Sequence, residues 1–199
     1  RIFLLIFFFL ITFKGKSHAI TPLIAESDAR NDKNKTKSIL SNGIIICSIL
    51  GLILTALVLI FKPIIYYMGQ PEIVVSLAYP YITLVAISLF PLIIFQSFKQ
   101  FSDGLSFTKI AMISTVIANI INVVLNYILI YGEFGFPRLE LVGAGIGTLI
   151  SRFIMVLLII YLIKSNPKTN QYINNLFSFE YSSKIIKKIF NIGYPSALQ

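Results

Sequence analysis

The stretch Asn119–Tyr127, NIINVVLNY, places three carboxamides inside a run that is otherwise almost wholly apolar. The surrounding segment, Ile110–Tyr131, reads as a helix long enough to cross a bilayer, for which about 20 apolar residues suffice. At about 100° per residue, Thr115, Asn119, Asn122 and Asn126 fall within a stripe roughly 60° wide, and the rest of the surface is lipid-like. Twelve Ile, Val and Leu residues between Ile110 and Ile130, at about −0.5 kcal/mol each, supply roughly −6 kcal/mol toward insertion. The helix therefore tolerates the amides, but tolerance does not explain them. One explanation is hydrogen bonding to neighbouring helices, which returns only about 0.6 kcal/mol per bond on average. The other is a polar surface facing a cavity, where amides hold a substrate or offer carbonyl oxygens to a cation such as Na⁺ near Asn122 and Asn126. The lining of a channel would look the same.

The rest of the chain supports the membrane setting. Only 13% of its 199 residues are charged, against about 25% in soluble domains. Five spans are expected, at about residues 2–25, 38–61, 78–98, 110–131 and 142–163, followed by a loop at 164–183. In residues 184–199, Ile185, Ile186, Ile189 and Ile192 recur at helical spacing opposite Lys184, Lys187 and Lys188. This is the pattern of an interfacial amphipathic helix leading into a sixth span. The fold class is an all-α, multi-pass integral membrane protein, and the chain reads as a fragment whose remainder is its missing partner. The apolar start of the first span, with Ser17 and Ala19 after it, also fits a signal peptide, although Lys14 and Lys16 beside its core argue against that.

A net charge of +9 would fit nucleic acid, but the basic residues lie between apolar runs rather than on one face, and no nucleic-acid partner is expected. Arg30, Lys33, Lys35, Lys37, Lys99, Lys109, Lys164, Lys168, Lys184, Lys187 and Lys188 fall on one side of the spans, with only Arg1, Lys62 and Arg138 on the other. The basic side should be cytoplasmic and the membrane the cell's inner (plasma) membrane. The acids Glu26, Asp28, Asp32 and Asp103 on that side, and Glu133 and Glu140 opposite, are expected to be solvated.

Other residues carry less. Gly143, Gly147 and Ser151 form a small-residue face that permits close helix approach. Thr148 lies on a neighbouring face with Arg152, and an intramembrane Thr hydroxyl usually bonds its own backbone. A central Arg costs about 2.5–3.5 kcal/mol on insertion scales. No acid inside the spans offers Arg152 a partner, so either the partner lies on missing sequence or the span starts later than drawn, and the second is preferred. Pro91 falls mid-span, where it removes a backbone bond and marks a kink or hinge. His18 stands beside Lys16 at the end of the first span and is a poor basis for a proton switch. Lone Cys47 offers no disulfide, and no metal-ligand cluster, nucleotide loop or catalytic triad is present, so neither an enzyme nor a cofactor is expected.

Several strings then form one pattern: AITPLIAESDARND, MGQPEIVVSLAYPYI, FKQFSDGLSFTKIAM, NIINVVLNYILIYGEFGFPRLELVGAGIGTLISR and FNIGYPSAL. In this order they resemble the multidrug and toxic compound extrusion (MATE) family, particularly its NorM-like branch, over essentially the whole chain. The resemblance implies a twelve-helix fold of two six-helix lobes, with residues 1–163 as part of the N-terminal lobe, 164–183 as the cytoplasmic inter-lobe loop and 184–199 opening the C-terminal lobe. It implies an antiporter coupled to Na⁺ or H⁺ that exports cationic, lipophilic small molecules by alternating access. Asn122 and Asn126 match paired polar residues of the family's fifth helix, and Thr148 the threonine of its sixth, all lining the cavity thought to take the coupling ion. Some members carry Asp where Asn126 stands, which argues against proton binding at that position. Lys14 and Lys16 replace small or apolar residues, and Glu140 replaces a usual Gly. Rival readings are a lipid-linked oligosaccharide flippase, which needs more cations in the cavity to meet a pyrophosphate, and an integral membrane enzyme such as an acyltransferase. A channel-like or purely structural subunit is the third.

Overall fold

A computed structural model describes residues 20–173 and 185–189, and these are almost entirely helical. Six helices are named here: α1 (Ile20–Ala29), α2 (Lys33–Phe61), α3 (Glu72–Gly104), α4 (Thr108–Tyr131), α5 (Glu140–Ser165) and α6 (Pro167–Ile173). Among the described residues, four segments are long and apolar enough to cross a membrane, namely Lys33–Tyr67 and helices α3, α4 and α5. They correspond to the second to fifth expected spans. The first expected span lies outside the described residues except for its last few, which open α1.

Local chemistry sets where each helix stops. Asn31 takes the left-handed conformation at φ 54°, which its short polar side chain tolerates, and turns the chain between α1 and α2. Asp32 then caps α2 by accepting from the Lys35 amide at 3.0 Å. At the far end Pro63 cannot donate to an α-helical ladder, and the chain tightens into a 3-10 turn over Lys62–Tyr67. α4 stops at Gly132, whose φ of 76° is open to glycine at no steric cost. α5 begins at Glu140, which holds φ 47° where a glycine would be unstrained. The expected departure at this position is thus a real backbone mismatch. Arg138 meets the Glu140 carboxylate at 3.4 Å, so that acid is paired rather than simply solvated.

α3 is the central column, packing on α2 and α5, with α4 against α5 on the outside. It runs as one helix through both Pro80 and Pro91, extending well beyond the expected 78–98 at each end. Lys99 and Asp103, read from sequence as loop residues, therefore belong to α3. The small-residue face of α5 does pack on α4. A Cβ on Gly143 would stand 2.6 Å from the Leu129 carbonyl oxygen, and one on Gly147 would collide with the Asn126 side-chain oxygen. Gly145, on the opposite side of α5, admits Leu84 of α3 at 2.9 Å from its own Cβ position. Outward, α4 shows lipid-compatible Met112, Val116, Ile120, Val123 and Val124.

The lysine-rich end is tied together more tightly than solvated loops would be. α1 crosses the end of α3, where a Cβ on Gly104 would meet Ile24 at 2.7 Å. Phe101 is fully buried there and meets the Tyr172 ring edge-on at 5.8 Å between centroids. Tyr172 donates to Asp28 at 3.4 Å, and burial together with that carboxylate raises its phenol above the ordinary range. Glu26 is an ion-pair hub, meeting Lys188 at 3.1 Å, Arg30 at 3.3 Å and Lys35 at 3.7 Å. The hydrogen bond and charge of Lys188, followed by Lys35, hold its carboxyl below the usual range. Residues 185–189 are helical, with Ile189 fully buried, so this part of the expected amphipathic segment does turn an apolar residue inward.

Candidate functional site

The polar stripe of α4 opens on a cavity of about 390 Å³ between α3, α4 and α5. Thr115, Asn119 and Asn122 line it from α4, Thr148, Ser151 and Arg152 from α5, and Gln96 and Lys99 from α3. Leu92, Phe95, Ala118 and Met155 supply apolar wall. α3 contributes Leu92, Phe95, Gln96 and Lys99 because these recur at i, i+3, i+4 and i+7, one face of a helix.

Hydrogen bonds order the wall. Asn126 Nδ2 donates to Asn122 Oδ1 at 3.2 Å, and Asn122 Nδ2 donates to Ser151 Oγ at 3.1 Å. Ser151 in turn donates to the Thr148 carbonyl at 3.0 Å, so a directed chain runs from α4 into α5. An amide has two N–H donors and two oxygen lone pairs, and Asn122 therefore keeps one of each for a ligand. The Thr115 and Thr148 hydroxyls donate to Ala111 and Ala144 carbonyls of their own helices, both at 2.8 Å. Their oxygen lone pairs remain as acceptors.

Asn126 is placed differently from its companions. It is not among the residues lining the cavity, and its Oδ1 enters the notch that Gly147 leaves on α5, with no hydrogen-bond partner. Asn119 faces the cavity and is exposed. The stripe thus combines both explanations open at the sequence level: Asn126 packs between helices, while Asn119 and Asn122 face a space.

Arg152 is the main correction. α5 starts at Glu140, earlier than drawn rather than later, so the guanidinium is well inside the helix. Its Nη1 donates at 2.6 Å to Ser88 Oγ, and Ser88 donates to the Val85 carbonyl at 2.7 Å. Ser88 is fully buried on α3, three residues before Pro91, which is also buried. Sequence reasoning sought a carboxylate and overlooked a hydroxyl one helix away. It also missed Lys99, because the span was ended at Phe98, and Gln96, which lay inside that span but was not singled out. The periodicity of Leu92, Phe95 and Lys99 was the available signal.

The cavity holds two cationic side chains and, among its described lining residues, no acid. Neutral carbonyl and hydroxyl oxygens from α3, α4 and α5 share the space with the Arg152 guanidinium of α5 and the Lys99 ammonium of α3. That arrangement can bind a polar or anionic group and an apolar body together.

The MatE family model matches residues 1–128. The multidrug resistance protein NorM of Vibrio cholerae serotype O1 is 28% identical over 92% of this chain and 40% of its own length. The chain thus spans about 40% of the length of this curated relative. An inward-facing structure of a multidrug resistance MATE family transporter of the MOP superfamily is similar with a TM-score of 0.80 and 27% identity, over 99% of this chain and 44% of that one. An outward-facing structure described in the same words gives a TM-score of 0.78 at 26% identity, over 99% and 43%.

Proposed function

The chain belongs to the MatE family, and from that premise we propose that the complete transporter exports lipophilic small molecules, cationic drugs and toxic metabolites among them, by cation-coupled antiport. Residues 1–163 form part of its N-terminal lobe, with 164–183 joining the lobes and 184–199 opening the second. Helix α4 faces the central cleft, Asn119, Asn122, Thr115 and Thr148 line the path of substrate or coupling ion, and Asn126 holds Asn122 in place from behind. The observation that carries this reading is the cavity itself, because two amides of a lipid-compatible helix, Asn119 and Asn122, open into space bounded by two other helices. Glue alone would have placed all of them in contacts.

Alternating access follows from the same geometry. The fold matches inward-facing and outward-facing structures almost equally well, at TM-scores of 0.80 and 0.78, which supports a lobe that moves as a unit. Close glycine contacts of α5 with both α3 and α4 give such a unit its stiffness. Loop charge directs the lysine-rich end to the cytoplasm and the protein to the inner (plasma) membrane. The coupling ion is Na⁺ or H⁺, and a carbonyl-oxygen site at Asn122 favours Na⁺ on this lobe.

Ethidium accumulation in cells expressing the complete protein, with and without a Na⁺ gradient at fixed pH, tests the proposal. Efflux that collapses with the Na⁺ or the proton gradient is expected and names the ion. No efflux under any gradient, from protein shown to reside in the membrane, would overturn it. The second reading, a lipid-linked oligosaccharide flippase, gains from Lys99 and Arg152 together, since paired cations could meet a pyrophosphate.

A further inference from the structure

We propose that residues 185–189 are fastened to the first lobe and travel with it, so that the joint on which the two lobes turn lies beyond Ile189 rather than in the 164–183 connection. This goes beyond the transporter reading and rests on it only for the existence of two lobes that move.

The chain is pinned to one platform on both sides of residues 174–184. On the upstream side, α6 is held by Tyr172, which is buried, lies edge-on to Phe101 of α3 and donates to Asp28 of α1 at 3.4 Å. Thr169, fully buried, fixes the corner between α5 and α6 by donating to the Ile163 carbonyl at 2.6 Å. On the downstream side, Ile189 is fully buried in the same apolar core as Ile24, Phe101 and Tyr172, and Ile185 and Ile186 pack against that core. Lys188 meets Glu26 of α1 at 3.1 Å. Whatever path the intervening residues take, their two ends keep a fixed separation. A stretch whose ends belong to one body cannot carry the rotation of another body against it.

The apolar and ionic contacts have different tasks. An amphipathic helix that lies on a bilayer keeps its apolar side chains in lipid, outside the protein. Ile189 turns into the protein instead, so burial of its side chain supplies the holding force. Glu26 and Lys188 are both partly exposed, and ion pairs of that kind add little hold. Their contribution is register. Glu26 meets Arg30 of its own helix, Lys35 of α2 and Lys188, so one carboxylate marks the point where three stretches of chain come together. Residues 185–189, which open the second lobe in sequence, thus belong mechanically to the first.

The test uses the complete protein in a background free of other accessible cysteines; Cys47 is buried. Glu26→Cys and Lys188→Cys are joined in cells by a short bifunctional methanethiosulfonate, and ethidium efflux is measured before cross-linking, after it and after reduction. The two cysteines should join efficiently, with export retained within about twofold. Export blocked by the cross-link and restored by reductant would overturn the proposal, since the segment would then leave the first lobe in each cycle. So would failure of the reagent to join the two cysteines. Spin labels at the exposed Arg30 and Lys187 give a readout that needs no transport. In nanodiscs, with and without Na⁺ and ethidium, they should report one narrow distance distribution, which Ile189→Asp broadens and Glu26→Gln does not. A second, longer population with Ile189 in place would overturn the proposal even if Ile189→Asp could not be purified. Equal broadening by Glu26→Gln would overturn the assignment of the holding force to Ile189. A complete protein that exports no dye while this distance stays single and narrow would sink the transporter reading and leave the fastening in place.

Discussion

Replacing Asn122 by leucine separates a ligand-binding amide from a structural one. Asn122 takes part in two side-chain hydrogen bonds, accepting from Asn126 at 3.2 Å and donating to Ser151 at 3.1 Å. At about 0.6 kcal/mol per bond in membrane proteins, their loss costs about 1.2 kcal/mol, less than a tenfold change in the folding equilibrium. Leucine is close in volume and inserts more readily than a carboxamide, which offsets part of that cost. Membrane abundance should therefore remain within a few-fold of wild type. Export should not. If the remaining N–H and lone pair of Asn122 contact ion or substrate, the rate per molecule should fall more than a hundredfold, about 2.7 kcal/mol at 1.36 kcal/mol per decade. Ser151→Ala provides the control, since it removes the acceptor of the Asn122 amide yet leaves that amide in the cavity. Its abundance should match that of Asn122→Leu, with export per molecule retained within about threefold. The assay is initial-rate dye efflux normalised to membrane-resident protein by surface labelling or quantitative blotting. Export by Asn122→Leu at the wild-type rate, or a loss no larger than its loss of abundance, would reduce the amide to helix packing.

Two stability comparisons test the frame around the cavity. Gly143→Ala and Gly51→Ala share the helix-propensity gain of about 1 kcal/mol, so their difference reports the neighbourhood alone. A Cβ at Gly143 stands 2.6 Å from a backbone carbonyl oxygen, whereas one at Gly51 meets a movable Phe90 ring at 3.3 Å. The first variant should be about 1–3 kcal/mol less stable than the second, and equal melting temperatures in detergent would show that α4 and α5 are not in tight contact. Glu140→Gly should raise the melting temperature, because relief of about 1–2 kcal/mol at φ 47° outweighs an exposed ion pair with Arg138 worth at most about 1 kcal/mol. A lower value would mean that the ion pair, not the backbone, decides that corner.

The helices were legible because lipid imposes a simple rule on sequence: backbone groups must be satisfied within the span, and the outer surface must be apolar. For α4 that rule, combined with a 3.6-residue period, located the stripe and the side on which the cavity lies. It could not separate Asn126 from Asn122. The difference lies on α5, where Gly147 leaves room for one amide oxygen and Ser151 offers a hydroxyl to the other amide. The ends of α3 were hidden for another reason. Hydropathy stops counting at the first polar residues, whereas the helix continues through Gln100 and Asp103 because α1 and Tyr172 pack against that end. Lys99 therefore changed from a loop charge to a cavity residue. The longer-range ion pairs of Glu26 were equally invisible, since Lys35 comes from α2 and Lys188 from a segment more than a hundred residues away.

The contact between Arg152 and Ser88 couples the cavity to the compliance of a helix. Pro91 has no N–H to return to the carbonyl of Ile87, so the turn that carries Ser88 lacks one rung of its ladder and resists curvature less than its neighbours. A ligand that draws the guanidinium away from the Ser88 hydroxyl loosens the only described side-chain tether from α5 at that weak turn. Occupancy and curvature of α3 then share one free energy. By reciprocity, any force that bends α3 at Pro91, whether lipid pressure or the approach of another lobe, alters ligand affinity by the same factor with which the ligand alters the bend.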